Sequence, residues 1–370
     1  MEKLKLLGAI RQAAKDNATY LSLRGMQLRE LPSEIGQLTN LQSLDLSENQ
    51  LDELPSELGQ LTNLLTLDIS GNQLSELSSI VQLINLNELD LSENKLKKVP
   101  ADIKQLANLQ NLYLNDNQLR DLPESIGELI CLTGLSLSGN PLEALPVEIE
   151  QLTNLREFDL SETLLCELPI GIGNLFSLTR LDLRDSNLRA LPPEIGNILS
   201  LKWLDLSRNK LKELPLEIGQ LANLEILYLS ENQLTKITTA IKRLFSLTEL
   251  HIDNNQLEKL PSEVGNLFNL KEFYLSGNQL SELPHEIGQM KSLNELDLSK
   301  NHLRKLPSEI GQLTNLNVLC LRENQLSELP REIEQLSKLI YLDLHPSQLS
   351  ELIPLADTLV KIVLRCGGSN

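Results

Sequence analysis

Leu41-Gln-Ser-Leu-Asp-Leu-Ser-Glu-Asn49-Gln-Leu-Asp-Glu-Leu-Pro55-Ser-Glu-Leu-Gly-Gln-Leu-Thr-Asn63 is one full copy of a phrase that the chain repeats about every twenty-three residues. A short fixed period means that each unit is one supersecondary element unable to bury its apolar side alone. Copies must therefore stack into a continuous core. Units open at Ala18, Leu41, Leu64, Leu86, Leu109, Leu132, Leu155, Leu178, Leu201, Leu224, Leu247, Leu270, Leu293, Leu316 and Leu339, fifteen in all, and only the third is a residue short.

Each unit has apolar residues, nearly always leucine, at its first, fourth and sixth places, the alternation of a half-buried strand. Leu44 and Leu46 are expected to point inward, Ser43 and Asp45 outward. Eight residues after the opening leucine stands an asparagine: Asn49, Asn72, Asn94, Asn117, Asn140, Asn209, Asn232, Asn255, Asn278, Asn301 and Asn324. A buried amide carries both donors and an acceptor, so these side chains are expected to form a ladder serving the coils on either side. The second half reads Leu-Pro-x-Glu-Ile-Gly, as at Leu31 to Gly36. Proline excludes a paired strand there and suits an extended or 3₁₀ segment, with the glycine expected to close it at positive φ. Strands pack at about 4.8 Å and helical turns need more room, so the sheet should line the inside of a curve.

These residues resemble the leucine-rich repeat family, whose Leu-x-x-Leu-x-Leu-x-x-Asn-x-Leu pattern runs almost without departure from Leu41 to Leu326. The 23-residue Leu-Pro-x-Glu-Ile-Gly variant is similar to the repeats of bacterial Roco proteins and of cytoplasmic Ras-pathway scaffolds. The resemblance implies an α/β solenoid, a horseshoe with a parallel sheet on its concave face and 3₁₀ or extended segments on its convex face. It also implies protein recognition, in intracellular signalling. Roco arrays are commonly followed by a GTPase domain, but no Gly-x-x-x-x-Gly-Lys-Ser/Thr phosphate loop occurs here. The chain would then be the recognition arm alone.

Residues 1–17, with Leu4, Leu7, Ile10 and Ala14 at helical spacing, read as an amphipathic capping helix. Residues 18–354 hold the repeats and 355–370 a partial terminal repeat with a polar tail. Leu359, Ile362 and Leu364 look like a last strand there. An uncovered edge would invite pairing with a second copy, unless Pro346, Pro354 and the tail blunt it. Met26 stands where the first unit should have its asparagine. Thr163 and Ser186 replace the amide in two consecutive units, either as a local break or as drift tolerated with a bound water. Ser78 and Thr238 replace the usual proline, and Lys236, Lys242 and Arg243 near the second read as a solvated face.

A formal net charge of −18 over 370 residues argues against an extended nucleic-acid surface, which needs a basic face. It favours a protein partner with basic and apolar features. The apolar runs are too short to span a bilayer, and the first residues lack the pattern of a signal peptide, so a cytoplasmic protein without membrane attachment is expected. Cys131, Cys166, Cys320 and Cys366 lie in separate repeats and read as reduced thiols. His251, His285, His302 and His345 join no catalytic arrangement, so the chain reads as a non-enzyme without cofactor or metal. His251 with Asp253 resembles at most half of a dyad, and a flat row of carboxylates suits Ca²⁺ poorly.

The outward strand positions, two and four places after each opening leucine, list the expected contact surface. Asp45, Asp68, Asp90, Asp159, Asp182, Asp205, Asp297 and Asp343 fill the fourth place, and Glu88, Glu157, Glu249, Glu272 and Glu295 the second. Arg180 stands against them. Aromatic residues are scarce, yet Trp203, Tyr228, His251 and Tyr274 occupy outward positions in four successive units. The three in the fourth place should form a row, with Trp203 diagonally adjacent and Glu249, Glu272 and Glu295 flanking. Tryptophan and tyrosine are enriched among residues that dominate interfaces, so this patch, with Asp205, is the candidate partner-binding site. Aromatic stacking that merely stabilises the sheet is the competing explanation. Tyr113 and Cys320 suggest only ordinary packing. A purely architectural array that assembles through its C-terminal edge is the rival function.

Overall fold

The computed structural model describes residues 2–77, 79–344 and 363–365. The chain divides into two compact units, Met1–Asp182 and Leu183–Asn370. Within each, among the described residues, eight three-residue strands lie side by side in sequence order, all parallel. The register is set by the repeat: Leu44 pairs with Leu67 and Leu227 with Leu250. Between strands the chain returns through 3₁₀ turns such as Ser33–Gln37 and Leu216–Gln220. Strands and turns are thus the two sides of every coil, with leucines between them. Leu44, Leu46, Leu58 and Leu61 are no more than 1 % exposed. Each such side chain contributes about 1.5–3 kcal/mol on leaving water.

The asparagine ladder exists, but it runs one way. Asn232 Nδ2 donates to Leu229 O in its own coil at 3.1 Å and to Leu206 O in the preceding coil at 2.8 Å. Its Oδ1 accepts from Leu211 N, also in the preceding coil, at 3.0 Å. The same three bonds recur at Asn49, Asn117 and Asn301. Each amide therefore ties its own coil to the one before, not to both neighbours. This direction explains Met26, because the first repeat has no preceding repeat to bridge. At Thr163 the hydroxyl keeps the own-coil bond, donating to Leu160 O at 2.9 Å.

The glycines of the Glu-Ile-Gly run do not adopt positive φ, contrary to expectation. Most positive-φ residues instead precede the ladder position, among them Glu48, Gly71, Glu93, Asp116, Gly139, Arg208, Glu231, Asn254, Gly277, Lys300 and Glu323. The run's glycines are needed for closeness. A Cβ on Gly36, Gly219 or Gly288 would sit 2.6–2.8 Å from a backbone carbonyl oxygen of the next coil. Proline behaves as expected at the N-terminal cap of these turns, where Pro32 has φ −71° and Pro215 φ −65°. Thr238 takes the same backbone conformation without the ring, and its hydroxyl accepts from Ala240 N at 3.3 Å.

A second ladder, unread in the sequence, joins the other edge of the coils. Asn63, Asn108, Asn223 and Asn269, each just before an opening leucine, donate to backbone carbonyls of the preceding coil at 2.7–3.0 Å.

The first helix spans Glu2–Lys15 and packs on the 3₁₀ turn Ser33–Gln37. Its buried face is Leu6, Ile10 and Ala13, with Leu7 and Ala14 only half-buried, so the expected stripe was one residue out of phase. At the far end Val363–Arg365 pairs with Tyr341–Asp343, placing Leu364 beside Leu342. Ser78, His345, Pro346, Pro354, Leu359, Ile362 and Cys366–Asn370 lie outside the described residues, and with them the question of an uncovered edge. Cys131, Cys166 and Cys320 are free thiols.

Two outcomes follow for urea denaturation. Asn232→Ala strands buried backbone groups in two coils, each at about 1–3 kcal/mol, so stability should fall by about 2–5 kcal/mol, and a loss below about 1 would refute the ladder's role. Gly219→Ala should destabilise by about 1–3 kcal/mol through overpacking, whereas Gly8→Ala, in open space on the helix, should stabilise by up to about 1 kcal/mol.

Candidate functional site

The second unit places the expected aromatic row in register. Tyr228 pairs with His251 and His251 with Tyr274 across three strands, while Trp203 stands beside Ile226 in the second-place column. Successive ring centroids are 5.7, 4.6 and 4.4 Å apart from Trp203 to Tyr274. The first two contacts are edge-on, a geometry favoured by opposed ring quadrupoles. All four side chains are half-buried.

Glu249, Glu272 and Glu295 pair in register alongside the row. The sequence leaves these carboxylates for a partner's lysine or arginine, but the structure already engages them. Tyr228 Oη donates to Glu249 at 3.1 Å, and Tyr274 Oη donates to Glu295 at 2.6 Å and to Glu272 at 3.3 Å. Burial and then the glutamate charges push the Tyr228 hydroxyl up to about 12 and raise that of Tyr274 as well, so both remain donors. Burial, followed by repulsion from Glu249 and Glu295, raises Glu272 above the usual carboxylate range. Among the described residues, none of the three glutamates makes an ion pair.

His251 forms no dyad with Asp253. Asp253 accepts from Ser230 Oγ at 3.1 Å and from Ser276 N at 3.0 Å. The imidazole Nε2 is buried without a hydrogen-bond partner. Burial lowers the histidine's pKa, against a smaller opposing pull from Glu249 and Asp205, so the ring is neutral at neutral pH. One ligand atom from each of Glu249, His251 and Glu272 lies within 4.8 Å of the others, a convergence that the sequence reading had not anticipated.

The aspartate column is largely structural. Asp45, Asp68, Asp90, Asp159, Asp205 and Asp297 each accept the backbone N–H two residues on, at 2.8–3.0 Å, closing the turn after the strand. Asp205, set beside Tyr228 in the register, is 7 % exposed, so it contributes charge more than contact. Cys320 continues the fourth-place column between Asp297 and Asp343, and burial followed by these charges pushes its thiol up to about 12, leaving it protonated and unreactive.

The first unit holds a separate depression of about 390 Å³ on its strand face, lined by Tyr113, Gly134, Arg156, Glu157 and Arg180 among others. Gly134 stands between Asn111 and Glu157 in the register, and the Asn111 side chain leans to within 2.6 Å of where its Cβ would be. The sequence signal was a lone glycine at an outward strand place, passed over beside Tyr113. Arg180 is not a free countercharge there, since it lies 3.6 Å from Asp182. Exposed Leu199, Phe245 and Phe268, on the turns before their strands, were also passed over. No helix among the described residues is long and apolar enough to cross a membrane.

Several solved structures share this architecture. A leucine-rich repeat protein of Leptospira interrogans is 40 % identical with a TM-score of 0.79, over 96 % of this chain and 98 % of that one. The functional domain of InlJ from Listeria monocytogenes is 26 % identical with a TM-score of 0.74, over 89 % of this chain and 68 % of that one. The ectodomain of the plant receptor kinase GASSHO1/SCHENGEN3 from Arabidopsis thaliana, solved with Casparian strip integrity factor 2, is 31 % identical with a TM-score of 0.68. That match covers 90 % of this chain and 45 % of the receptor's. No curated protein sequence is significantly similar to the chain. The leucine-rich repeat region family matches residues 18–76, 193–275 and 261–363, and a two-copy leucine-rich repeat family matches residues 84–128. With a repeat signature over most of its length and the same coil in every described repeat, the chain belongs to the leucine-rich repeat family.

Proposed function

We propose that the protein is a non-catalytic recognition module that captures a protein partner on the strand face of its second unit, in intracellular signalling. The observation that carries this reading is the half-exposed aromatic row from Trp203 to Tyr274 beside three in-register glutamates. Aromatic rings on rigid strands offer contact area at little conformational cost, and such residues dominate interface energetics. Glu249, Glu272 and Glu295 add a negative field without ion-pair partners of their own, which suits a partner carrying lysine or arginine next to apolar groups. The plant receptor ectodomain, solved in complex with Casparian strip integrity factor 2, lends the fold-level support that analogy can give. Exposed thiols at Cys131 and Cys166 fit a reducing compartment such as the cytoplasm.

The test is a pull-down from native extract with wild type and Trp203→Ala/Tyr228→Ala as matched baits, followed by titration of the purified partner. Loss of one hot-spot contact of about 2 kcal/mol corresponds to about thirty-fold, so the pair should weaken capture by at least that much. Stability should fall by no more than the two lost ring contacts and the Tyr228–Glu249 hydrogen bond, about 2–6 kcal/mol in all, and the melt should stay cooperative. Equal capture by both baits would refute the proposal.

Capture should also weaken as pH falls from 7 to 5. Glu272, raised by burial, loses its charge earlier than an ordinary glutamate, and His251 gains a proton only below its lowered pKa, so both changes reduce attraction for a cation. Affinity that rises on acidification would contradict the electrostatic part.

A further inference from the structure

We propose that Glu249, His251 and Glu272 form a binding site for a divalent transition-metal ion of the zinc class. This goes beyond the partner-docking reading and does not depend on it. The three side chains stand on two adjacent strands, Glu249–His251 and Glu272–Tyr274, with one ligand atom of each within 4.8 Å of the others.

The neighbouring positions show what the triad lacks. Tyr228 reaches Glu249 on the next strand and Tyr274 reaches Glu295 on the next strand, in each case with a hydroxyl that donates to the carboxylate. His251 and Glu272 occupy the equivalent places between those two pairs. There the hydroxyl is replaced by an imidazole whose Nε2 is buried and has no hydrogen-bond partner. Buried polar atoms are almost always satisfied, and with the ring proton on Nδ1 the orphan Nε2 has a lone pair to offer a cation. The glutamates ask for the same thing, since they lie in register with no ion pair. A divalent cation answers both needs at once.

The donor set selects the class of ion. One imidazole nitrogen and two carboxylate oxygens suit Zn²⁺ and its neighbours, which take three protein ligands and leave a fourth position for water. Calcium and magnesium prefer all-oxygen cages that this flat pair of strands does not build. Ligand atoms sit about 2.0–2.2 Å from zinc, so side-chain rotation must draw the set inward on loading. The tyrosines already hold the outer shell: Tyr228 Oη fixes Glu249, and Tyr274 Oη bonds Glu272. Such partners orient first ligands and tune affinity.

The test uses the full chain, stripped with a chelator and without any partner protein. Zn²⁺ is titrated by calorimetry, and Co²⁺ by its visible absorption. One equivalent should bind, with a tetrahedral cobalt spectrum. His251→Ala should lower affinity at least about 100-fold, and Tyr228→Phe about 10-fold. Glu157→Gln, in the first unit, should bind as wild type does. Zinc should raise the melting temperature of wild type but not of His251→Ala. If His251→Ala shows no cooperative melt, Glu272→Gln provides the same comparison with the ring retained. The proposal is overturned if no saturable binding appears up to about 1 mM. It is equally overturned if both triad variants bind as wild type does, which would mean diffuse attraction to a surface of net charge −18, or if Ca²⁺ and Mg²⁺ bind as tightly as Zn²⁺. Because no partner is present, failure here leaves the docking test standing, and failure there leaves this one.

Discussion

The buried amide at each turn is the interaction on which the architecture depends. A coil of about twenty-three residues with only a three-residue strand leaves many backbone groups without strand partners, and an interior built from leucine offers them none. Asn232 and its equivalents repair this by joining an N–H and a carbonyl of the preceding coil to a carbonyl of their own. The bond set is directional, so each coil is completed by the one after it. That makes the array a sequence of dependent layers, as expected for a chain whose contacts reach only to neighbouring repeats.

Given that constraint, the other consensus positions have mechanical roles. Leucines fill the space between strand and 3₁₀ turn. Proline presets the turn, and the following glycine lets adjacent coils approach where a methyl group would meet a carbonyl oxygen. Aspartate in the fourth place closes the strand by accepting a backbone N–H. Most of the acidic column therefore belongs to the scaffold. The consensus lapses at Trp203, Tyr228, His251 and Tyr274, and the recognition surface proposed above is built on those places.

Those lapses form a graded environment. Tyrosine hydroxyls meet glutamates at both ends of the row, whereas the histidine in its middle has a buried nitrogen and no partner. Rigid parallel strands hold these groups at fixed spacing, so their mutual repulsion and the missing bond cannot relax by backbone movement. Stored electrostatic imbalance of this kind tends to mark functional positions, because a ligand that relieves it is bound with corresponding preference.

The repeat made much of this legible in advance. Period, strand alternation, ladder, proline cap and the aromatic row all follow from local spacing, since one coil is the same physical problem solved fifteen times. The helix phase was misjudged because Leu4, Leu7, Ile10 and Ala14 compete with Leu6, Ile10 and Ala13, and only the coil beneath chooses between them. The role of the run's glycine was misassigned because close approach and positive φ both favour glycine in a sequence, and the left-handed residue before each asparagine carries no consistent residue type that would mark it. What the amino-acid order determined was the coil and the column in which each side chain stands. Tertiary structure alone decided the direction in which side chains lean across neighbouring strands. Hence the tyrosines' hold on the glutamates, the orphaned nitrogen of His251 and the depression at Gly134 became visible only there.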